Sequence, residues 1–222
     1  MINFIGHKPQ IEGHQYSCFY TIYGNIPHTL IGEEKDILRL KQEHSILLNM
    51  VENHPSHVLL GDGVFTRKKN LELAIECRDC MGIIIMGKNF CGVVHMSWKN
   101  LYLGIIDKMF QLFKRENMDE KGLSFIICPH ITEKYMEVKF KSTWENHSYE
   151  GYNLSAAFTT RNSFTYFSMS TLFHNICFLK YNILPQQILS IPVDTYSNLN
   201  YASYRRDGLE HPNTNLFIVS RK

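Results

Sequence analysis

This sequence lacks a marked excess of either positive or negative residues. Its 222 residues carry 23 Lys and Arg against 21 Asp and Glu, a formal +2, with the two signs interspersed. That bias is too weak to point to nucleic acid or a membrane surface as a partner. Long apolar runs are missing as well. The longest, GIIIMG (82–87), falls far short of the roughly 20 residues a bilayer-spanning helix needs. The opening MINFIGHKPQIEGHQ lacks the basic start, apolar centre and small-residue cleavage site of a signal peptide, so a cytoplasmic protein is expected. The six cysteines show no regular framework, which in a reducing compartment implies free thiols rather than disulfide staples. There is no internal repeat, low-complexity tract or linker. Cys77-Arg78-Asp79-Cys80 is a Cys-x-x-Cys, but no second pair completes a zinc ribbon, and a strand is expected after it where a thioredoxin-type site would place a helix.

What is present is a chain that is 44% apolar and 20% charged, long enough to bury a substantial core. YSCFYTI (16–22) reads as a strand closed by turn chemistry at Gly24-Asn25 and Pro27. Glu33 to Leu40 is helical by composition, and Ile46 to Val51 fits either a helix or a buried strand. LELAIEC, GIIIMG and FCGVVHM read as three strands, the last two joined tightly at Gly87-Lys88-Asn89. Leu101, Ile105, Ile106, Met109, Phe110 and Phe113 mark one face of a helix ending near Lys114 and Arg115. LSFIIC, FTYFSM, QILSIPV and NLFIVSR read as strands, MSTLFHNICFLKYN as a helix, and ITEKYMEV as a short helix with Thr132 near its start. Strands outnumber helices, which are spread between them. The expectation is α+β, one domain over 1–222, with a mixed sheet.

Two strand ends carry chemistry that a core does not want. Cys80 lies just before GIIIMG and His95 just after the VV of the next strand, so a hairpin would bring them side by side. His44, at a polar interruption in KQEHS, is the best upstream third donor. A thiolate and two imidazoles suit Zn²⁺ and leave a fourth position open for water or substrate. Near the other end, Tyr204, Arg205 and Arg206 form a group suited to a phosphate or carboxylate beside a stacked ring.

These motifs together resemble the YfiH-type laccase-domain, or polyphenol oxidase, family. Its Gln-Val-His-Gly is similar to Gln42-Glu43-His44-Ser45, and its Ala-Asp-Ala-x-Val-Thr to Gly61-Asp62-Gly63-Val64-Phe65-Thr66. Its Thr-Ala-Asp-Cys is similar to Cys77-Arg78-Asp79-Cys80, and its His-Ala-Gly-Trp-Arg-Gly to His95-Met96-Ser97-Trp98-Lys99-Asn100. A Gly-Pro-x-Ile segment ending in Tyr-Glu-Val is similar to Cys128-Pro129-His130-Ile131 leading to Tyr135-Met136-Glu137-Val138. The late Ser-Tyr-Arg-Arg-Asp-Gly is intact at 203–208. The resemblance implies a mixed β-sandwich flanked by helices, with zinc on His44, Cys80 and His95. Copper belongs to the older phenol oxidase assignment. It further implies an enzyme of purine nucleosides, by phosphorolysis or by deamination of adenosine, with one branch called peptidoglycan editing factors.

For deamination, Asp79 is the candidate proton shuttle; for phosphorolysis, Lys99, Arg205 and Arg206 are the candidate phosphate-binding cations. Trp98 or Tyr204 would stack on the base. Cys80 is open to a second reading, as a nucleophile activated by His95 in an amide hydrolase. A third reading, a member that binds without catalysis, follows from the departures. The family's early arginine is Ile22 here, Trp-Arg-Gly has become Trp98-Lys99-Asn100, and HPNTN replaces the late Thr-Gly-Arg. The expected partners are a nucleoside and phosphate, and the oligomeric state stays open.

Overall fold

The computed structural model describes residues 11–15, 17–29, 37–119, 122–139 and 154–222. Two six-stranded mixed sheets form the body. The first holds, from edge to edge, β1 (Ile11–Gln15), β2 (Cys18–Pro27), β15 (Asn213–Arg221), β7 (Glu72–Cys77), β3 (Ile37–Lys41) and β5 (Leu59–Leu60). The second holds β14 (Ile188–Ser190), β10 (Ser124–Ile127), β8 (Met81–Met86), β9 (Cys91–Met96), β6 (Gly63–Thr66) and β4 (Leu48–Val51). A small third sheet joins β11 (Glu137–Val138), β13 (Phe164–Phe167) and β12 (Phe158–Arg161). This is the α+β class with mixed sheets that the sequence pattern predicts, arranged as the sandwich with flanking helices that the family resemblance implies.

Strand alternation sorts the apolar residues into layers. Ile75, Cys77, Phe217 and Val219 of the first sheet meet Ile84, Met86, Cys91 and Val93 of the second in one core. The opposite face of the second sheet, with Met81, Ile83, Ile85 and Val94, packs under two helices in another. Those helices are α2 (Ile105–Arg115) and α3 (Met169–Tyr181). The face expected on α2 is the face it buries. The predicted helix is broken near its start, however: α1 (Trp98–Tyr102) stops before Gly104, which sits at φ 87°, a conformation suited to glycine. A fourth short helix, α4 (Tyr204–Asp207), carries the late arginines. No helix among the described residues is long and apolar enough to cross a membrane.

Three local expectations are corrected. Leu38 and its neighbours from Ile37 onward form β3, parallel to β7, and not a helix; residues 33–36 lie outside the described residues. A central sheet position overrides a weak helical composition here. The segment from Thr132 makes a single turn and then pairs as β11, because Asp194 takes both the N–H and the hydroxyl of Thr132 and Tyr166 of β13 pairs with Glu137. Gly24-Asn25 does not close β2. The strand passes through it with a bulge against β15, and Asn25, at φ 55°, donates its N–H to the Asn215 side chain. The segment 46–51, which pattern leaves open, contains the strand β4.

Candidate functional site

The hairpin forms as the sequence predicts, with Met81 opposite Met96 and Gly82 opposite His95. Cys80, one residue before β8, is thereby brought beside His95, the penultimate residue of β9. The third donor is delivered by the loop after β3. Gln42 extends that strand's grip on β7 by a reciprocal amide pair, donating to the Glu76 carbonyl at 2.8 Å and accepting from the Glu76 N–H at 2.8 Å. Two residues on, His44 turns at φ 55°, a left-handed conformation that costs a residue with a Cβ about 1–2 kcal/mol.

Asp62 holds the turn in place. Its carboxylate accepts hydrogen bonds from the N–H groups of His44 (3.1 Å) and Ser45 (2.6 Å) and from the Ser45 hydroxyl (2.8 Å). The same carboxylate meets His95 Nδ1 at 2.7 Å, while the Asp62 carbonyl accepts the His95 N–H at 2.7 Å. One fully buried side chain therefore positions both histidines. Gly61 makes the close approach possible: at φ 137°, a Cβ there would lie 2.7 Å from the Leu47 carbonyl oxygen. Burial pushes the Asp62 carboxyl up, but the hydrogen bonds from His95 and Ser45 prevail and hold it at about 2.

His44, Cys80 and His95 each offer one ligand atom, and the three atoms lie within 4.8 Å of one another. Cys80 Sγ is 3.9 Å from His44 Nε2, and the two imidazole rings meet edge to face at 4.9 Å between centroids. Tetrahedral zinc with bonds of about 2.0–2.3 Å needs its donors about 3.5 Å apart, so the three sit about an ångström or less from a ligating arrangement. The donor chemistry fits as well. With Nδ1 of His95 engaged by Asp62, Nε2 is left for a metal, the carboxylate–histidine pairing common at zinc sites. Without metal, burial raises the Cys80 thiol, but the neighbouring His95 and His44 overcome it and lower it to about 6. Burial likewise lowers the His95 imidazole, and Cys80 with Asp62 reverses that, to about 9. Among the described residues this is the one group of three or more His, Cys, Asp or Glu side chains placed to share an ion.

The triad forms part of the wall of a cavity of about 1000 Å³, which Asp79, Trp98, Tyr204 and Arg205 also line. That is the upper end of the range for small-molecule sites. Asp79, at φ 73°, accepts hydrogen bonds from Thr195 Oγ1 (2.7 Å), Ser203 Oγ (3.0 Å) and the Arg205 N–H (2.7 Å). It thus ties the turn before Cys80 to the start of α4.

The candidate cations are placed differently from expectation. Arg206 does not line the cavity. Its guanidinium reaches the carbonyls of Thr195, Tyr196 and Tyr201 and the carboxylate of Asp207, so it holds the 195–207 segment together. Lys99 is exposed on α1, outside the cavity lining. Arg205 lines the cavity, with its guanidinium donating to the Tyr135 and Glu137 carbonyls. Asp62, inside the 61–66 motif, is a positioning group that sequence reasoning missed. Another is Asn100, whose buried amide donates to the His95 carbonyl at 2.9 Å and accepts from the Ser97 N–H at 2.8 Å.

Residues 25–217 match the family model described as multi-copper polyphenol oxidoreductase laccase. The chain belongs to this laccase-type family. It is similar to a purine nucleoside phosphorylase of Aquifex aeolicus, 35% identical over 89 residues, covering 40% of this chain and 43% of that protein. The match thus spans less than half of that relative. A Borreliella burgdorferi protein of the same name is 26% identical over 179 residues, 79% of this chain and 76% of the relative. Among solved structures, the Bacillus licheniformis hypothetical protein YfiH superposes with a TM-score of 0.73 at 21% identity, covering 84% of this chain and 74% of that one. The likeness to YfiH extends to the sandwich as a whole.

Proposed function

We propose that this chain is a zinc-dependent enzyme acting on purine nucleosides, with His44, Cys80 and His95 as the ligands. The observation that carries the reading is the convergence of these donors on the wall of a large cavity that exposed Trp98 and Tyr204 also line. Among the described residues, one three-donor group suits a single ion of borderline softness better than a multi-copper array, which supports zinc over copper. A zinc held there supplies Lewis-acid polarisation at that wall. Trp98 and Tyr204 offer ring faces for a purine. Asp79 has three donors on its carboxylate, and a carboxylate has about four acceptor sites, so one remains to take a proton from a bound ligand. Arg205 and Arg206 already serve main-chain carbonyls, which supports deamination of adenosine ahead of phosphorolysis, the reaction that needs an anion site. The relatives named purine nucleoside phosphorylase keep the second reaction in the test.

Incubation of the zinc-loaded protein with adenosine and with inosine, each with and without phosphate and a chelator, is resolved by chromatography. Inosine from adenosine marks deamination, and a free base that appears only with phosphate marks phosphorolysis. No chelator-sensitive product across a nucleoside panel would refute the enzyme reading and leave a binding protein.

A specific observation favours a second reading. A thiol lowered to about 6 beside an imidazole raised to about 9 makes a thiolate–imidazolium pair at neutral pH, the state of a cysteine hydrolase nucleophile. Purified protein without stoichiometric zinc, whose Cys80 reacts with an electrophile, would decide for that reading.

A further inference from the structure

The cavity wall carries a second polar group that the metal chemistry does not use. Glu76, near the end of β7, lines the cavity with its carboxylate largely buried. One carboxylate oxygen meets His28 Nδ1 at 2.8 Å, and the other meets Arg39 at 3.4 Å. The His28 ring is half-exposed and lines the cavity too. The main chain of Glu76 is fixed by the amide pair with Gln42, two residues before His44, and Cys80 follows four residues later. Glu76 is therefore tied by short, hydrogen-bonded segments to two of the three candidate ligands. Along an extended chain, four residues span at most about 13 Å.

We propose that Glu76 and His28 form a hydroxyl-recognition subsite that takes the vicinal diol of a ribose and makes the cavity select nucleosides over their phosphates. This rests on the nucleoside reading above. An ionised carboxylate offers about four acceptor sites, and His28 and Arg39 occupy two, which leaves two for a pair of adjacent hydroxyls. With Nδ1 of His28 bound to Glu76, Nε2 accepts from a further hydroxyl when the ring is neutral. A 5′-phosphate would bring a charge of about −1.5 to −2 toward this carboxylate. The guanidinium nearest in sequence on the same wall, Arg78, points to the Gly208, Leu209 and His211 carbonyls. Arg205 is turned to carbonyls in the same way. The Glu76–His28 stretch of the wall thus presents acceptors to hydroxyls and a carboxylate charge to an anion placed beside it, while Arg78 and Arg205 are directed to carbonyls.

The test is calorimetry of the protein, held with a chelator so that no turnover adds heat, with adenosine, 2′,3′-dideoxyadenosine and adenosine 5′-monophosphate. The wild type should bind adenosine at least about tenfold tighter than either of the others, the fold-change one charged hydrogen bond supplies. Glu76→Gln keeps the shape, removes the charge, and should bring the three ligands within about threefold of one another. His28→Ala, a change at a half-exposed ring, should reduce the adenosine preference while leaving the fold intact. If Glu76→Gln binds adenosine with the wild-type preferences, the subsite is overturned. Wild-type protein that binds adenosine and its dideoxy analogue equally overturns the subsite and leaves the nucleoside reading standing. Wild-type protein that binds none of the three overturns both.

Discussion

Replacing Asp62 with Asn should damage the candidate metal centre without touching a ligand. The buried carboxylate takes donors from His44, Ser45 and His95 at 2.6–3.1 Å, and its amide isostere would turn an NH₂ toward some of them. Removing such a partner of a ligating histidine costs about 10–100-fold in metal affinity, or about 1.4–2.7 kcal/mol. Stability should fall as well. Folding holds this carboxyl at about 2 instead of its ordinary 3.8, and at about 1.4 kcal/mol per unit the carboxylate contributes about 2 kcal/mol. The sign follows from the depressed value: the contribution is complete above about pH 4 and disappears as pH falls through about 2. In a chain of this size, about 2 kcal/mol corresponds to a drop in Tm of about 4–8 °C at neutral pH. Zinc competition against a chromophoric chelator measures the first effect and thermal denaturation at pH 7 and pH 2.5 the second. A folded Asp62→Asn protein with zinc affinity within about twofold of the wild type would refute the argument that this carboxylate positions both histidines.

Three further outcomes are expected. In metal-free protein, alkylation of Cys80 by iodoacetamide should rise with a midpoint near pH 6, while the other five cysteines, all buried, stay unmodified in the native state; mass spectrometry of the labelled peptides checks this. Gly82→Ala should destabilise by about 1–3 kcal/mol, because its Cβ would lie 2.3 Å from the Phe217 ring across the inter-sheet core, and a denaturant melt reads it directly. Arg206→Ala should free the carbonyls of Thr195, Tyr196 and Tyr201 and speed amide exchange across 195–207; unchanged exchange there would contradict the bracing role.

The hairpin of β8 and β9 was legible because two continuous apolar runs and a tight Gly-Lys-Asn connection leave little else for that stretch to do. From it, the pairing of Cys80 with His95 followed. The buried face of α2 was equally plain, since its period belongs to the helix alone. Residues 37–40 fold against their helical composition for the opposite reason: a short segment with charged neighbours takes its conformation from β7 beside it, which no local pattern records. The arginines mark the limit of composition. Arg205 and Arg206 look like an anion site in a string of letters, yet a guanidinium serves a row of carbonyls as readily as a phosphate, and only the folded segment decides between them. Asp62 was hidden because its partners lie 17 and 33 positions away.

β15 lies between β2 and β7, bonded to both, although it comes after every element it separates. A nascent chain still lacking residues 213–221 has its first sheet in two unconnected pieces. Phe217 is then absent from beside Gly82, two positions beyond Cys80. During synthesis, therefore, the cavity beside His44, Cys80 and His95 gains its last wall late, because Tyr204, Arg205, Leu209 and Thr214 all line it.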